Sequence, residues 1–445
     1  MKLTSLGGRA RSTVTRRQFL RNTAAGGALA TLGPHLLSQR ALAQDFAGQE
    51  LNVMIIQPHI AAGEMMAAAF QELTGATVNV TSVPYDAVQA QATLDVQSGA
   101  NQYDVIDYWY PTLGALAEDG VLLDVTEWIE RDAADIAPDD FIPSIYDVYT
   151  LHDGSRFGLP YDGDTHVLFW NQTIFDSVGV SAPTTWDEYA QVVRAVTEAR
   201  GDDGAYGAAM LGFPVPIIIG SSFVNRLAGH GGAFFGADGA PAMDSEAAMM
   251  AAQAMLDVAP HVLPTPLETA FDQALPAFLS GEVAMMEFWT DLGVYAQDPG
   301  GSQIVDQWDV GAMPTGGGAT EPLAALNAGF GFGVSTGSQK QDMAWEFIKF
   351  ATGQAHSRDL LTTTGTGIDP TRVSNLNSDA YKAFAPKVQQ AAQASMTGVL
   401  AWPTIPESPR LMERLSDELS LMLSGDQDAE TAMRNTQAEW ERILG

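Results

Sequence analysis

Residues 156–193, RFGLPYDGDTHVLFWNQTIFDSVGVSAPTTWDEYAQVV, decide the fold more than any other part of this 445-residue chain. Their pattern predicts a strand, an Asp/Gly loop, a second strand, a turn and then a helix. The helix is predicted to begin with a capping box, in which Thr185 and Glu188 each accept a hydrogen bond from the other's backbone amide. Apolar residues then recur at helical spacing, which predicts one buried face. They are Trp186, Tyr189, Val192, Val193 and Val196.

The first 43 residues are typical of an export signal. Residues 15–20 (TRRQFL) match the twin-arginine pattern, a mildly apolar run follows, and residues 41–43 (ALA) form a cleavage site. We therefore expect export by the twin-arginine pathway and a mature chain that starts near Gln44. The sequence contains no cysteine, so it offers neither a disulfide nor a thiol for a lipid anchor. These features predict a freely diffusing periplasmic protein that is not a lipoprotein.

The charge of the chain limits its partners. The formal net charge is −32, and removal of the seven basic residues of the leader would bring it to −39. Such a charge repels nucleic acid and anionic lipid surfaces, so we expect neither as a partner. Adaptation of the surface to saline surroundings is the favoured explanation, and attraction of cationic ligands is the alternative.

Strands and helices alternate after the leader. The predicted elements are strands at residues 51–56, 77–83 and 104–108 and helices at residues 63–73 and 85–97. This alternation predicts a parallel sheet that is covered on both faces. Ligands bind such sheets beyond the carboxyl ends of the strands, here near residues 57–60 and 108–111.

Similar patterns continue in the second half of the chain. Residues 245–258 predict a helix that is apolar nearly all round and therefore buried. Residues 278–289 (FLSGEVAMMEFW) predict the end of a helix, a turn and an apolar strand that ends on an aromatic residue. Residues 338–351 predict a helix that begins with a Ser338/Gln341 capping box. The length and composition are sufficient for two lobes with separate cores.

Three of these segments resemble one known family. They are residues 158–188 (with the motifs GLPYD, WN, GV and PTTWDE), residues 119–129 (DGVLLDVTEWI) and residues 278–289. They are similar to segments of the extracellular solute-binding proteins of family 1, the maltose-binding type, which serve bacterial ABC carbohydrate importers. The resemblance implies an α/β, two-lobe periplasmic-binding-protein (Venus flytrap) fold, in which two α/β sheets are linked by a three-crossing hinge.

The resemblance also implies how the chain is divided. The expected parts are the signal peptide at 1–43, an N-terminal lobe of residues 44–162 and 325–362, and a C-terminal lobe of residues 163–324 and 363–445. The expected crossings lie near residues 160–165, 318–326 and 362–370.

Polar and aromatic side chains stand at the expected edges of the cleft. Sugar hydroxyls donate to carboxylates, and the flat C–H faces of a sugar pack on aromatic rings. The candidate ligand-binding residues are Asp107, Trp109, Tyr161, Asp162, Asp164, Trp289, Asp291, Asn327, Phe330, Arg372 and Trp402. The last-named group, Asn327, Phe330, Arg372 and Trp402, enters through the resemblance, at places where the family often contacts its ligand.

Structural roles are the alternative for each candidate. Trp109 can belong to the core, Asp162 and Asp164 can form an Asx-turn, and Arg372 can pair with a surface acid. Trp289 is the best single candidate, because its apolar neighbours can form the core without it.

Catalytic and metal motifs are absent from the sequence. It contains no H-E-x-x-H, C-x-x-C, G-x-S-x-G or P-loop pattern. Residues 329–333 (GFGFG) lack the spacing of the dinucleotide fingerprint. His59 and His166 stand alone and are expected to be structural. We therefore expect no enzyme activity, no cofactor and no metal site.

Together these observations predict a periplasmic substrate-binding protein of an ABC transporter, which captures a sugar, polyol or short oligosaccharide by hinge closure. The expected partners are that carbohydrate and inner-membrane permease subunits, and the protein is expected to be a monomer. Two alternatives stay open. One is the same fold binding a charged solute, such as a sugar acid, a sugar phosphate or a polyamine. The other is a secreted cofactor enzyme, which the missing cofactor motifs disfavour.

Overall fold

The computed structural model describes residues 46–319, 323–396 and 398–445. The leader predicted at residues 1–43 lies outside these ranges. The strands are β1 (Glu50–Ile56), β2 (Thr77–Val83), β3 (Val105–Trp109), β4 (Leu151–His152), β5 (Ser155–Arg156), β6 (Leu159–Asp162), β7 (His166–Asn171), β8 (Met285–Trp289), β9 (Trp308–Gly311), β10 (Ala324–Leu326), β11 (Phe330–Val334) and β12 (Val399–Ala401).

The α-helices follow the same order along the chain. They are α1 (Ile60–Thr74), α2 (Val88–Gln97), α3 (Leu113–Glu118), α4 (Thr126–Arg131), α5 (Ala133–Ile136), α6 (Pro143–Thr150), α7 (Gln172–Val178), α8 (Trp186–Arg200), α9 (Pro216–Gly229), α10 (Glu246–Val258), α11 (Phe271–Ser280), α12 (Leu292–Ala296), α13 (Gln341–Ala351), α14 (Gln354–Leu361), α15 (Val373–Leu376), α16 (Asp379–Phe384), α17 (Pro386–Ser395), α18 (Ser408–Leu423) and α19 (Ala429–Leu444). Short 3-10 turns join several of them.

The N-terminal lobe is built on a five-stranded sheet in the order β2-β1-β3-β11-β6. β1 runs parallel to β2 and β3, as the alternation of strands and helices predicted. β11 is antiparallel to both β3 and β6, so the sheet is mixed and the predicted parallel arrangement holds only for its first part. Leu51, Val53, Met54 and Ile55 of β1 are all fully buried, because both faces of the sheet are covered.

The C-terminal lobe contains a three-stranded antiparallel sheet in the order β8-β7-β9. The predicted capping box of α8 is confirmed. Thr185 Oγ1 accepts from the Glu188 amide at 3.2 Å, and Glu188 Oε2 accepts from the Thr185 amide at 3.2 Å. Such a cap stabilises a helix by about 1 kcal/mol. All five residues of the predicted apolar face are buried.

Three connections pass between the lobes. Residues 163–165 join β6 of the first sheet to β7 of the second. The return from β9 to β11 includes β10, which pairs with β12, and residues 320–322 of this predicted crossing lie outside the described residues. The third connection passes the first at Pro370, whose carbonyl oxygen would lie 2.2 Å from a Cβ at Gly163. Only a glycine therefore lets these two connections run side by side.

Two predicted helix details are wrong. Lys340, not Ser338, is the N-cap residue of α13. The Ser338 hydroxyl donates to Asp104 Oδ1 at 2.7 Å and accepts from the Lys340 amide at 2.9 Å, so Ser338 belongs to the turn before the helix. The capping box between Ser338 and Gln341 is therefore absent. α10 is not buried all round either, since Met250 on its outer face is 36% exposed.

Candidate ligand-binding cavity

A cavity of about 490 Å³, counting its open mouth, lies between the two lobes. Its wall comes from the carboxyl ends of β1 and β8, the start of β11, the first turn of α9 and two of the connections. The lining residues are Ile56, Pro58, His59, Tyr85, Asp164, Ile217, Ile218, Phe271, Trp289, Asp291, Tyr295, Ala328, Phe330 and Gly367. The wall is thus mainly apolar and aromatic with a few polar groups, as is usual for sites that bind small molecules.

The N-terminal lobe contributes the turn that follows β1. Pro58 and His59 lie in a 3-10 turn between β1 and α1, at the strand end where a ligand was predicted. Phe330, the first residue of β11, packs against His59 with ring centroids 5.5 Å apart. The other predicted strand end, residues 108–111, does not line the cavity.

A buried chain of hydrogen bonds supports His59 from behind. The Tyr161 hydroxyl donates to Asp107 Oδ2 at 2.9 Å and lies 2.8 Å from His59 Nδ1. The same Asp107 oxygen accepts from the Ile56 amide at 2.8 Å. Burial lowers the pKa of His59 to about 3, so the imidazole is neutral at pH 7. Asp107 and Tyr161 therefore position His59 and do not touch the cavity themselves.

The C-terminal lobe contributes Trp289 and Asp291 at the end of β8. The Trp289 ring contacts His166 edge to face at 4.5 Å and is 5% exposed. The indole Nε1 of Trp289 and Oδ1 of Asp291 are both buried without a hydrogen-bond partner among the described residues. Burial without a partner is costly for a polar atom, and a bound solute can satisfy both.

Carboxyl groups from three segments meet at the back of the cavity. Asp162 and Asp164 come from the end of β6 and the first connection that follows it, Asp369 from the third connection, and Asp291 from the end of β8. Asp162 Oδ1 accepts from the Asp369 amide at 2.7 Å. Burial raises the pKa of Asp369 to about 6. Burial, together with the neighbouring carboxyl groups, raises the pKa of Asp162, Asp164 and Asp291 well above the ordinary value.

The profile of one family matches the chain across both lobes. Its description is bacterial extracellular solute-binding protein, and it matches residues 58–356, more than half of the chain. The chain belongs to this family.

Relatives and solved structures agree with that assignment. This solute-binding protein is 26% identical to a probable amino-acid ABC transporter periplasmic-binding protein of Sinorhizobium fredii, over 96% of the chain and 98% of the relative. It is 22% identical to an erythritol/L-threitol-binding protein of Mycolicibacterium smegmatis, over 74% of the chain and 71% of the relative. An ABC transporter solute-binding protein from Agrobacterium radiobacter K84, in complex with ribitol, matches with a TM-score of 0.81 and 23% identity, covering 89% of this chain and 99% of that one. The predicted two-lobe α/β fold is confirmed.

Over the described ranges, no helix of this solute-binding protein combines the length and the apolar character needed to cross a membrane.

Four of the sequence-predicted site residues line the cavity, namely Asp164, Trp289, Asp291 and Phe330. Asp107, Tyr161 and Asp162 lie directly behind the wall, in the contacts described above. Trp109 and Trp402 meet each other edge to face at 6.4 Å and do not line the cavity, although Trp109 pairs with Phe330 across the sheet. Asn327 is also off the wall, and its amide donates to Asn225 Oδ1 at 2.7 Å.

The structure does not bring Arg372 to the cavity. Its guanidinium is buried in the N-terminal lobe, where Nε donates to the Thr352 carbonyl at 2.8 Å and Nη2 to the Ile136 carbonyl at 3.0 Å. Nη1 lies 3.4 Å from Asp140 Oδ2, and the group stacks over the Phe141 ring at 3.8 Å. These contacts give Arg372 a structural role in the N-terminal lobe, which was the alternative to ligand binding in the sequence analysis.

His59, Asp162 and Asp164 together have the chemistry of a metal site. Nε2 of His59 lies 3.7 Å from Asp162 Oδ2, and one ligand atom from each of the three residues lies within 4.8 Å of the others. A neutral imidazole and two carboxylates are ligands that divalent metals accept. The sequence predicted no metal site, and this cluster is the place where that prediction is open to test.

Several cavity residues are not among the sequence-predicted ones. His59 was expected to be structural, although the strand end on which it stands was predicted to meet a ligand. Asp369 joins the carboxyl groups only because the third connection folds back onto the first. Its signal in the sequence is the Asp-Pro pair, in which the proline restricts the backbone of the preceding aspartate.

Proposed function

We propose that this protein is the substrate-binding component of an ABC importer and that it captures a sugar or polyol in the cavity between its lobes. The lobes close around the solute, and the closed form is presented to an inner-membrane permease. No chemical change of the solute is part of this function. The observation that carries the proposal is the cavity between the lobes, where carboxyl groups and the Trp289 ring line one space.

The contacts in the cavity suit a polyhydroxylated solute. We propose that hydroxyl groups donate to Asp164 and Asp291, and that the C–H face of the solute packs on Trp289 and Phe330. The relative from M. smegmatis is named for erythritol and L-threitol, and the similar structure from A. radiobacter contains ribitol. These named ligands support a small polyol.

We therefore propose a monosaccharide or a linear polyol rather than an oligosaccharide, in keeping with the erythritol, L-threitol and ribitol named for these two similar proteins.

Anionic solutes are disfavoured by the wall of the cavity. No Lys or Arg occurs among the described residues that line it. The only histidine there, His59, is neutral because its pKa is lowered to about 3. A sugar acid or sugar phosphate would therefore lose its hydration without gaining a cation. The family's match and relatives, which are named as binding proteins, support a binder over a secreted cofactor enzyme.

We further propose that the mature protein is a monomer in the periplasm, exported by the twin-arginine pathway and without a lipid anchor. The motif at residues 15–20 and the lack of cysteine support this route. The lobes are proposed to hinge at the three connections described above, with the boundaries expected from the resemblance except that Arg372 packs in the N-terminal lobe.

Thermal melts of the mature protein against a panel of sugars, polyols and sugar acids test the proposal. A solute at 100 times its Kd stabilises the folded protein by about 2.7 kcal/mol, a change that a melt resolves readily. We expect at least one neutral sugar or polyol to raise the Tm and sugar phosphates to leave it unchanged. If no carbohydrate raises the Tm, the proposed function is wrong.

A further inference from the structure

The cavity region carries an unusual concentration of buried acid. Five carboxyl groups lie on its wall or directly behind it, and each is at least nine-tenths buried. They are Asp107 and Asp162 (0% exposed), Asp369 (2%), Asp164 (5%) and Asp291 (7%). An ionised carboxylate is expensive to bury unless a cation accompanies it.

The nearby cations of the described chain do not balance these acids. Arg226 forms a buried ion pair with Glu287, with Nη2 and Oε1 2.8 Å apart. Arg372 is held against Asp140 in the N-terminal lobe. His59 lies beside Asp162, with Nε2 3.7 Å from Oδ2, and no Lys or Arg is among the described residues that line the cavity. A buried carboxyl group in this position is either protonated or paired with a cation that comes from outside the chain.

The wall also presents two unsatisfied polar groups. Oδ1 of Asp291 and Nε1 of Trp289 are buried without a hydrogen-bond partner within the described ranges, and both residues line the cavity. The Asp291 oxygen can accept from an ammonium group, whereas the indole N–H is a donor that a solute hydroxyl oxygen can satisfy. The rings of Trp289, Phe271 and Phe330 line the same space. Aromatic faces attract an organic cation through their quadrupoles, whereas a metal ion prefers a shell of oxygen and nitrogen atoms.

We propose that the natural solute is an aminated sugar or polyol, whose ammonium group is held against Asp164 and Asp291. The inference rests on the proposed function and narrows its ligand class. An ammonium group has three donors and no acceptor, which matches carboxylates that can only accept. The hydroxyl groups and carbon chain of the solute then occupy the aromatic and apolar part of the cavity.

Matched pairs of solutes, which differ by one amine in place of one hydroxyl, test the inference. The pairs are D-sorbitol and D-glucamine, D-glucose and D-glucosamine, D-galactose and D-galactosamine, and glycerol and 2-amino-1,3-propanediol. Calorimetric titrations of the mature protein at pH 7.5 in EDTA give the Kd of each compound. We expect the amine to bind at least tenfold more tightly than its hydroxyl partner in one or more pairs.

Three other results would overturn the inference. If the hydroxyl compound binds equally well or better in every pair that binds, the solute is neutral and the proposed function stands without the amine. If Ca²⁺ or Mn²⁺ alone raises the Tm and no amine is preferred, the carboxyl groups hold a metal ion. If no sugar, polyol or amine binds at all, the proposed function fails together with the inference.

Two variants separate recognition of the amine from general binding. Asp291→Asn keeps the shape of the side chain and removes its charge, so we expect the affinity for the preferred amine to fall at least tenfold. The affinity for its hydroxyl partner should change less than threefold. Asp203→Asn, a matched change at a side chain that is 69% exposed, should leave both affinities unchanged. If Asp291→Asn does not fold, Asp164→Asn replaces it, and equal losses for amine and hydroxyl compounds would contradict the inference.

Discussion

Replacing Asp107 by asparagine should change how the stability of the protein depends on pH. Asp107 is fully buried, and burial raises its pKa to about 7 despite the hydrogen bonds from Ile56 and Tyr161. An asparagine Oδ1 can accept from the same two donors without carrying a charge. The substitution therefore removes the titration and retains the hydrogen bonds that support His59.

The sign of the effect follows from the direction in which burial moves the pKa of Asp107. Between the ordinary pKa of 3.8 and the folded value of about 7, the folded state binds more protons than the unfolded state, so stability falls as pH rises. A tenfold change in an acid dissociation constant corresponds to about 1.4 kcal/mol, which makes the full effect of Asp107 on the order of 4 kcal/mol. The Asp107→Asn variant lacks this loss. The variant should therefore be at least as stable as the wild type at pH 8 and less stable than the wild type at pH 4.5.

Urea unfolding of both ligand-free proteins between pH 4.5 and pH 8 measures the difference. The free energy of unfolding of the wild type minus that of Asp107→Asn should fall by about 2–4 kcal/mol across this range. Asp132→Asn is a control of opposite sign, because Arg131, Trp345 and Lys349 hold the pKa of Asp132 below its ordinary value. Its difference curve should be flat above pH 5. A flat curve for Asp107 as well would refute the argument from burial.

Three further substitutions test other parts of the structure. Gly163→Ala places a Cβ 2.2 Å from the Pro370 carbonyl oxygen. Urea unfolding should show that the free energy of unfolding falls by about 1–3 kcal/mol. An unchanged unfolding midpoint would show that the two connections can move apart freely. Glu287→Gln leaves the Arg226 guanidinium, which is fully buried, without a charged partner. The free energy of unfolding in urea should fall by about 3 kcal/mol. A change within experimental error would contradict the buried ion pair. Tyr161→Phe removes the hydroxyl between His59 and Asp107. Calorimetric titration of the most tightly bound solute should show about tenfold weaker binding. Wild-type affinity would mean that the solute site does not depend on this support of His59.

The elements that the sequence predicted correctly depend on local contacts. The Thr185/Glu188 capping box and the apolar face of α8 involve residues within a few turns of each other, so their pattern is visible in the chain itself. β1 was predicted from a continuous apolar run, and the position of His59 follows from the rule that ligands bind beyond strand ends. Local pattern thus predicted single elements and one edge of the cavity, whereas the two-lobe fold was predicted from chain length and the family resemblance.

The errors arise where a distant residue competes for a local group. Ser338 matched a helix cap, but its hydroxyl donates to Asp104, more than two hundred positions away, and the helix begins only after Lys340. The sequence around Arg372 does not indicate whether its side chain faces the cavity or the interior of a lobe. In the structure it donates to the carbonyl groups of Thr352 and Ile136, inside the N-terminal lobe. Asp369 contacts Asp162 only because the third connection between the lobes folds back onto the first. Sequence pattern carries no information about such pairings.

Calorimetric titration of the most stabilising solute into the wild type and Asp164→Asn tests the central claim most directly, because Asp164 joins the first connection to the cavity wall. We expect one binding site per chain in the wild type and at least tenfold weaker binding in Asp164→Asn, with wild-type affinity in the exposed control Asp203→Asn. Wild-type affinity in Asp164→Asn would place the solute somewhere other than the cavity between the lobes and would contradict the account.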